Sequence, residues 1–193
     1  MLQENTIILK KVFYTAALVL LSDQILKIWV KTHMFLGQEF QFFDWFIIHF
    51  TENNGMAFGI ELGGIIGKIF LTLFRIVVVI LAIYYIRKTI KPQFPTGALI
   101  AVGLIIGGAI GNINDSYNNV ATIFPDSGGY APLFQGRVVD MFYFPLINSH
   151  FPSWVPIWGG EHFIFFRPVF NLADSGITIG LFIILLFYRD FFD

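Results

Sequence analysis

Two aspartates stand in surroundings that favour acid–base chemistry. Asp140 follows two valines and Asp174 follows a leucine–alanine pair, so both carboxyls are expected to be poorly solvated. Two carboxyls that meet in such a place cannot both ionise cheaply, and the pair then holds one proton. The ionised member can take a proton from water, while the protonated member donates to a carbonyl oxygen or a leaving amine. Because coupled groups titrate together, the sequence does not assign the base to either aspartate.

Other catalytic and metal-binding patterns are weaker. The sequence has no Gly-x-Ser-x-Gly motif for a serine nucleophile and no cysteine. Its four histidines lack the His-Glu-x-x-His spacing, although His150 and His162 could join Glu161 and Asp140 on a metal. Solvated loop histidines are the commoner outcome, so we expect no metal and no organic cofactor. Aspartates at helix or loop ends also act as caps, and that structural role stays open.

The composition is that of a membrane protein. Of 193 residues, 56% are hydrophobic and 13% are charged, and the mean hydropathy is +0.71. A soluble protein carries charge on about a quarter of its residues, so a bilayer must be the solvent of this chain. A net charge of -1 without charge runs disfavours nucleic-acid binding.

Four apolar segments are long enough to cross a bilayer, and they predict a single integral membrane domain over residues 1–193. Arg189 closely follows the last segment, so its helix must start near Phe170, which draws Asp174 into the edge of the hydrocarbon. Six Lys and Arg residues lie in 1–11, 87–93 and 189–193, whereas three lie in the longer connections 31–64 and 114–169. This asymmetry predicts cytoplasmic termini and external long loops. The predicted class is an all-α membrane protein with four transmembrane helices, at about 12–30, 65–86, 94–113 and 170–188.

Charged and small residues inside these segments have structural interpretations. Asp23 and Lys27 are spaced i, i+4 on one helix face, which predicts a structural ion pair. Arg75 is either a bundle-facing structural charge or a snorkelling side chain, and no chemistry is assigned to it. Glycines repeat every four residues at 103, 107 and 111 and at 176 and 180, which predicts close helix packing. The aromatic-rich segment 39–50 predicts a strand or hairpin at headgroup level.

Polar residues from distant parts of the chain collect on one side of the membrane. The predicted topology brings four polar segments to the outer face: 53–59, 107–115, 138–140 and 170–174. Chance placement would scatter them, so their convergence predicts a site. Asn112 and Asn171 could hold the two carboxylates there by hydrogen bonding.

These segments carry a family resemblance. Five stretches, in this order, are similar to motifs of the lipoprotein signal peptidase (signal peptidase II) family of bacterial membrane aspartyl proteases. Residues 22–27 (SDQILK) resemble D-Q-x-x-K, and 53–58 (NNGMAF) resemble N-x-G-x-A-F. The other three are 107–115 (GGAIGNIND) for G-G-A-x-G-N-x-x-D, 136–140 (GRVVD) for G-x-V-V-D, and 170–174 (FNLAD) for F-N-x-A-D. One motif alone would be weak evidence, but five in order are specific.

The resemblance implies a four-helix fold with a small extracytoplasmic β-cradle in the bacterial inner membrane. It implies that Asp140 and Asp174 form a catalytic dyad that cuts diacylglyceryl-modified prolipoproteins on the amino side of the lipidated cysteine. It further implies inhibition by globomycin-like cyclic peptides. Residues that would support the substrate or the dyad are Asn53, Gly55, Asn112, Asp115 and Asn171.

The sequence departs from the family pattern in two places. The family usually has an Arg directly after the aspartate of G-N-x-x-D, where this chain has Ser116. We hypothesise that Arg137 substitutes for it in steadying the substrate backbone. The outer segments 116–135 and 146–158 are also long, and they form either a lid, a partner surface or inert additions.

Two other functional classes stay open at this point. A transporter or proton-conducting subunit would use Asp23, Asp140 and Asp174 as a relay. Such a relay needs ionisable groups at several depths, whereas most of them here crowd one boundary. A non-catalytic assembly factor would use the outer loops and not the dyad.

Overall fold

A computed structural model describes residues 2–53, 64–89, 94–117 and 136–189. Within these ranges the chain forms four helices and six strands. The helices are α1 (Leu2–His33), α2 (Gly64–Thr89), α3 (Thr96–Tyr117) and α4 (Leu172–Ile183), which continues as a π-helical turn over Ile184–Tyr188. The strands are β1 (Glu39–Phe43), β2 (Phe46–Asn53), β3 (Val138–Tyr143), β4 (Ile147–His150), β5 (His162–Phe165) and β6 (Val169–Phe170).

These strands correct the all-α class. Aromatic and β-branched residues in the outer segments pair as antiparallel strands, and this pairing satisfies backbone groups that lie outside the helices. The hairpin predicted at 39–50 is present as β1 and β2. Part of the segment expected as an extra loop, 146–158, instead contributes β4, which pairs with β5 in a separate two-stranded sheet.

The helix ends differ from the predicted segment ends for local reasons. The predicted segments 12–30 and 65–86 lie inside α1 and α2. The third helix begins at Thr96, directly after Pro95, a residue that favours helix starts. The fourth begins at Leu172 rather than Phe170, because Phe170 pairs with Phe142 in the sheet and Asn171 is the N-cap.

Helix α3 is the centre of the bundle and packs against both α1 and α4. Two adjacent glycines permit this. A Cβ on Gly107 would lie 2.5 Å from the Ala16 carbonyl oxygen of α1, and one on Gly108 would collide with the Ala173 carbonyl oxygen of α4. The backbones therefore approach closely, as small residues allow between membrane helices.

The outer surface of the helices is apolar. Helix α1 over Thr6–His33 and α3 over Thr96–Asp115 are long and apolar enough to cross a membrane, and the apolar stretches Thr72–Tyr84 and Leu172–Tyr188 are shorter. Large apolar side chains point outward along the helices, among them Phe13, Leu18, Ile66, Phe70, Ile80 and Phe187. Such a surface suits lipid rather than water.

A four-stranded antiparallel sheet, in the order β1-β2-β3-β6, sits at the end of the bundle where α1 and α3 terminate. Its register places Thr51 opposite Asp140 and Asn53 opposite Val138. A cluster of buried side chains fixes the sheet to the end of α1: Val30, Met34, Phe50, Val139 and Met141. The sheet thereby brings the ends of β2 and β3 to the start of α4.

Candidate active site

Asp174 lies in the first turn of α4 and is held by two asparagines. The Asn171 side chain accepts from the Asp174 backbone N–H (2.9 Å), and Asp174 Oδ2 accepts from the Asn171 backbone N–H (3.3 Å), which completes a capping box. Asn112 Nδ2 of α3 donates to the other oxygen, Asp174 Oδ1, at 2.8 Å. These contacts fix the orientation of both oxygens of the Asp174 carboxyl. Asp174 therefore takes part in the helix cap, the role that the sequence left open. Its Oδ1 also accepts from Asn112 of α3.

Asp140 lies at the centre of β3 and is almost completely buried. Asn171 Nδ2 donates to its Oδ1 at 2.7 Å, and Asn53 Nδ2 donates to its Oδ2 at 3.0 Å. Burial, and then the negative charge of Asp174, raises the pKa of Asp140 to about 7, although the two amide hydrogen bonds act in the opposite direction. Near neutral pH this carboxyl therefore exchanges its proton readily.

Two amides connect the two carboxyls. Asn171 Nδ2 lies 2.7 Å from Asp140 Oδ1 and 3.2 Å from both Asn112 Oδ1 and the Val139 carbonyl oxygen. Asn112 in turn donates to Asp174. Asp140 and Asp174 therefore belong to one hydrogen-bonded network, in which each carboxyl has a fixed orientation. Two carboxyls held in one such network are the groups that general acid–base hydrolysis of an amide can use.

Lys27 is the centre of a buried ion cluster behind this network. Its Nζ lies 2.7 Å from both Asp23 Oδ2 and Asp115 Oδ2, and it donates to Asn112 Oδ1 at 3.2 Å. Asp23 also accepts from the Ala173 backbone N–H at 2.9 Å. The predicted pair is therefore a triad that ties α1 to α3 and α4. Asp115, expected to support the substrate or the dyad, contacts Lys27 rather than Asp140 or Asp174.

Gln24 is a site residue that the sequence reasoning did not single out. Its Nε2 donates to Asp23 Oδ2 (3.1 Å), Asp115 Oδ1 (3.2 Å) and the Gly111 carbonyl oxygen (3.3 Å). The side chain of Asn114 donates to its Oε1. Its position inside the D-Q-x-x-K motif is the sequence feature that could have identified it.

One predicted residue, Arg137, stands apart from the network. Arg137 is half exposed, and its Nη1 lies 3.6 Å from Glu52 Oε2, near the end of β2. Gly55 lies outside the described residues, as does most of the 116–135 segment. Their predicted roles stay predictions.

Aromatic rings from β2, β3, β6 and the residue after β3 stack into a wall. Phe170 directly precedes Asn171, and its ring lies 6.0 Å from that of Phe142, two residues after Asp140. Phe144 stacks on Phe170 at 5.7 Å and on Phe46 at 5.0 Å. An apolar wall of this kind suits an apolar ligand.

Comparison with known proteins identifies the family. The family described as signal peptidase (SPase) II matches residues 15–189 of the chain. The chain belongs to the signal peptidase II family. The five-motif resemblance is thereby confirmed, and family membership implies a protease.

Relatives and solved structures agree with this assignment. A lipoprotein signal peptidase of Porphyromonas gingivalis is 53% identical over 182 residues, covering 89% of this chain and 79% of that protein. One from Amoebophilus asiaticus is 38% identical, covering 91% and 76%. Two bacterial membrane enzymes solved in meso, at 2.3 Å and 1.9 Å, have TM-scores of 0.61 and 0.59 and identities of 25% and 26%. They cover 93% and 91% of this chain, and 88% and 90% of their own chains are matched.

Proposed function

We propose that the protein is an aspartyl endopeptidase that removes the signal peptide from diacylglyceryl-modified prolipoproteins, on the amino side of the lipidated cysteine. Family membership and relatives named lipoprotein signal peptidase support the substrate class. The observation that carries the mechanism is the buried network in which Asn171 and Asn112 join the carboxyls of Asp140 and Asp174.

The proposed reaction uses one proton shared by the two aspartates. The ionised carboxyl removes a proton from water as the water oxygen bonds to the scissile carbonyl carbon, and the protonated carboxyl donates to the carbonyl oxygen. The tetrahedral intermediate then collapses. The amide C–N bond breaks as the first carboxyl passes its proton to the leaving amine, and the second recovers its proton from the hydroxyl. The pair returns to its starting state without a metal or organic cofactor.

The membrane supplies much of the positioning in this proposal. Four spans with cytoplasmic termini would place the dyad at the outer face of the bacterial cytoplasmic membrane. A prolipoprotein is held there by its signal helix and its diacylglyceryl group, so the scissile bond stays at that depth. Restricting two reactants in this way removes a large part of the entropic barrier. The wall of Phe46, Phe142, Phe144 and Phe170 would contact the lipid-modified segment and surrounding membrane lipids.

The supporting residues have separate roles in this proposal. Asn53, Asn112 and Asn171 orient the dyad, while Asp23, Lys27 and Asp115 fix the helices that carry it. Contact with the substrate backbone is assigned to Gly55, as the family pattern suggests, and to Arg137, as the substitute for the family arginine. A globomycin-like cyclic peptide would occupy the same cleft and block cleavage.

The test is cleavage of a purified precursor in detergent or nanodiscs. The lipid-modified precursor should yield a free signal peptide and a mature protein whose first residue is the lipidated cysteine, as measured by mass spectrometry. The same precursor without the diacylglyceryl group should be cut poorly. Equal cleavage of both forms would contradict the proposed substrate class. If neither form is cleaved, the relay or assembly alternatives would be favoured.

A further inference from the structure

Lys27 has a contact that its role in the ion cluster does not explain. Its side chain is 2% exposed, and its Nζ lies 2.7 Å from a carboxylate oxygen of Asp23 and 2.7 Å from one of Asp115. It also donates to Asn112 Oδ1 at 3.2 Å. These three oxygens match in number the three N–H donors of an ammonium. Lys27 thus joins the ion cluster directly to one of the two amides that connect the dyad.

Asn112 uses both ends of its side-chain amide in the network. Its Oδ1 faces Lys27 Nζ and, at 3.2 Å, Asn171 Nδ2, whereas its Nδ2 donates to Asp174 Oδ1 at 2.8 Å. An asparagine amide fits the same space with its oxygen and nitrogen exchanged, so its partners decide which atom faces which neighbour. In the exchanged arrangement an oxygen would face the Asp174 carboxyl and a nitrogen would face the Lys27 ammonium.

These three partners differ in how firmly they fix the direction of the amide. A carboxyl accepts when it is ionised and can donate when it is protonated, so Asp174 is compatible with either end. Asn171 Nδ2 has two hydrogens but faces three oxygens, at 2.7, 3.2 and 3.2 Å, so its donation to Asn112 is shared. An ammonium has no acceptor and therefore requires an oxygen opposite it. Lys27 is the one of these three whose chemistry excludes the exchanged arrangement.

We propose that Lys27 is a positioning residue for the dyad, because it holds the Asn112 oxygen and thereby turns the amide nitrogen toward Asp174. This role rests on the proposed function. With the amide direction fixed, the Asp174 carboxyl is held from α3 as well as by the helix cap and keeps one orientation. An exchanged amide would set oxygen against oxygen and turn the carboxyl away from its working position. Asp23 and Asp115 act one step further out, by holding the ammonium in place.

A double-mutant cycle on Lys27 and Asn112 tests this role. Lys27→Met, Asn112→Ala and the double variant are compared in cleavage of the lipid-modified precursor, with thermal unfolding on the same samples. Lys27→Met alone should lower kcat about 10-fold or more, as expected for the loss of a hydrogen bond to a charged group, with KM within about two-fold. In the Asn112→Ala background the same substitution should change kcat by less than about two-fold, because its contribution passes through the missing amide. Its lowering of Tm should persist in both backgrounds, because the ion pairs of the cluster are lost in each.

The control and the outcomes separate this role from the proposed function. Lys10→Met removes an exposed lysine from the same helix and should leave kcat and Tm unchanged. A wild-type protein that does not cut the precursor contradicts the proposed function and the role of Lys27 with it. Where the wild type cuts, a Lys27→Met variant whose kcat matches that of Lys10→Met overturns the role of Lys27 alone. Equal factors of kcat loss with and without the Asn112 amide also overturn it, because a general distortion of the bundle multiplies through the cycle.

A charge-matched pair decides the question if Lys27→Met does not fold or if Asn112→Ala cuts too slowly to measure. Asp115→Asn combined with Lys27→Met leaves one acid in excess in the cluster, as in the wild type, where two acids surround one cation. A kcat at least about five-fold below that of Asp115→Asn alone, with KM within about two-fold, supports the role of Lys27, and a smaller loss of kcat overturns it.

Discussion

Replacing Asp140 with asparagine is expected to stabilise the folded protein at high pH while removing the proposed activity. Burial, and then the charge of Asp174, raises the pKa of Asp140 from 3.8 to about 7. Between these values the folded protein binds the proton more tightly than the unfolded chain does. The free energy of unfolding therefore falls as pH rises from about 4 to about 7, and it is level above that range. An asparagine carries no such ionisation.

The structure sets the size of the effect. The interval from 3.8 to about 7 spans about 3 pH units, so at about 1.4 kcal/mol per unit the full cost of ionising Asp140 is about 4 kcal/mol. An asparagine cannot accept from both Asn53 and Asn171, but this mismatch is the same at every pH and cancels in a comparison across pH. Between about pH 5 and about pH 8 the stability of the variant relative to wild type should grow by about 2–3 kcal/mol, or about 5–10 °C in Tm.

Thermal unfolding in one detergent, followed by tryptophan fluorescence at both pH values, measures this difference. Asp44→Asn is the matched control, because Asp44 is exposed in the turn between β1 and β2 and its replacement should give a pH-independent Tm difference. If the Tm difference between Asp140→Asn and wild type is the same at both pH values, the buried, proton-holding carboxyl inferred here is refuted.

Three further variants test the remaining parts of the site. Asn171→Ala should lower kcat by about 100-fold or more and destabilise the protein by about 1–3 kcal/mol, since it leaves buried polar partners unsatisfied. The control is Asn148→Ala, which removes an exposed amide in β4 and should change neither kcat nor stability in the same kinetic and unfolding assays. Lys27→Met leaves two buried carboxylates without their cation and should destabilise by about 3–5 kcal/mol in thermal unfolding; an unchanged Tm would contradict the triad. Arg137→Ala should lose far more cleavage activity than Arg167→Ala, and equal losses would dismiss Arg137 as the substitute for the family arginine.

Much of the site could be predicted from the sequence because its chemistry is local. The apolar residues before Asp140 and Asp174 indicated poor solvation, and the i, i+4 spacing of Asp23 and Lys27 indicated contact. Each of these features depends on a few neighbouring residues. The order of five short motifs then indicated the family, which the comparison confirmed.

The remaining features depend on long-range pairing that local patterns do not encode. Asp115 and Asn112 are three residues apart on α3 and both contact Lys27, yet Asn112 also donates to Asp174, and only the helix packing decides this. The exact start of α4, two residues after Phe170, depends on the pairing of Phe170 with Phe142 in the sheet. Strand β4 was missed because its partner, β5, is separated from it by a long loop.

The most direct test of the central claim is single-turnover cleavage of the lipid-modified precursor by Asp140→Asn and Asp174→Asn, with Asp44→Asn as control. The account predicts that both dyad variants bind a globomycin-like peptide and release no signal peptide, while the control cleaves at the wild-type rate. Release of signal peptide by either dyad variant at a rate near wild type would contradict the assignment of hydrolysis to this carboxyl pair.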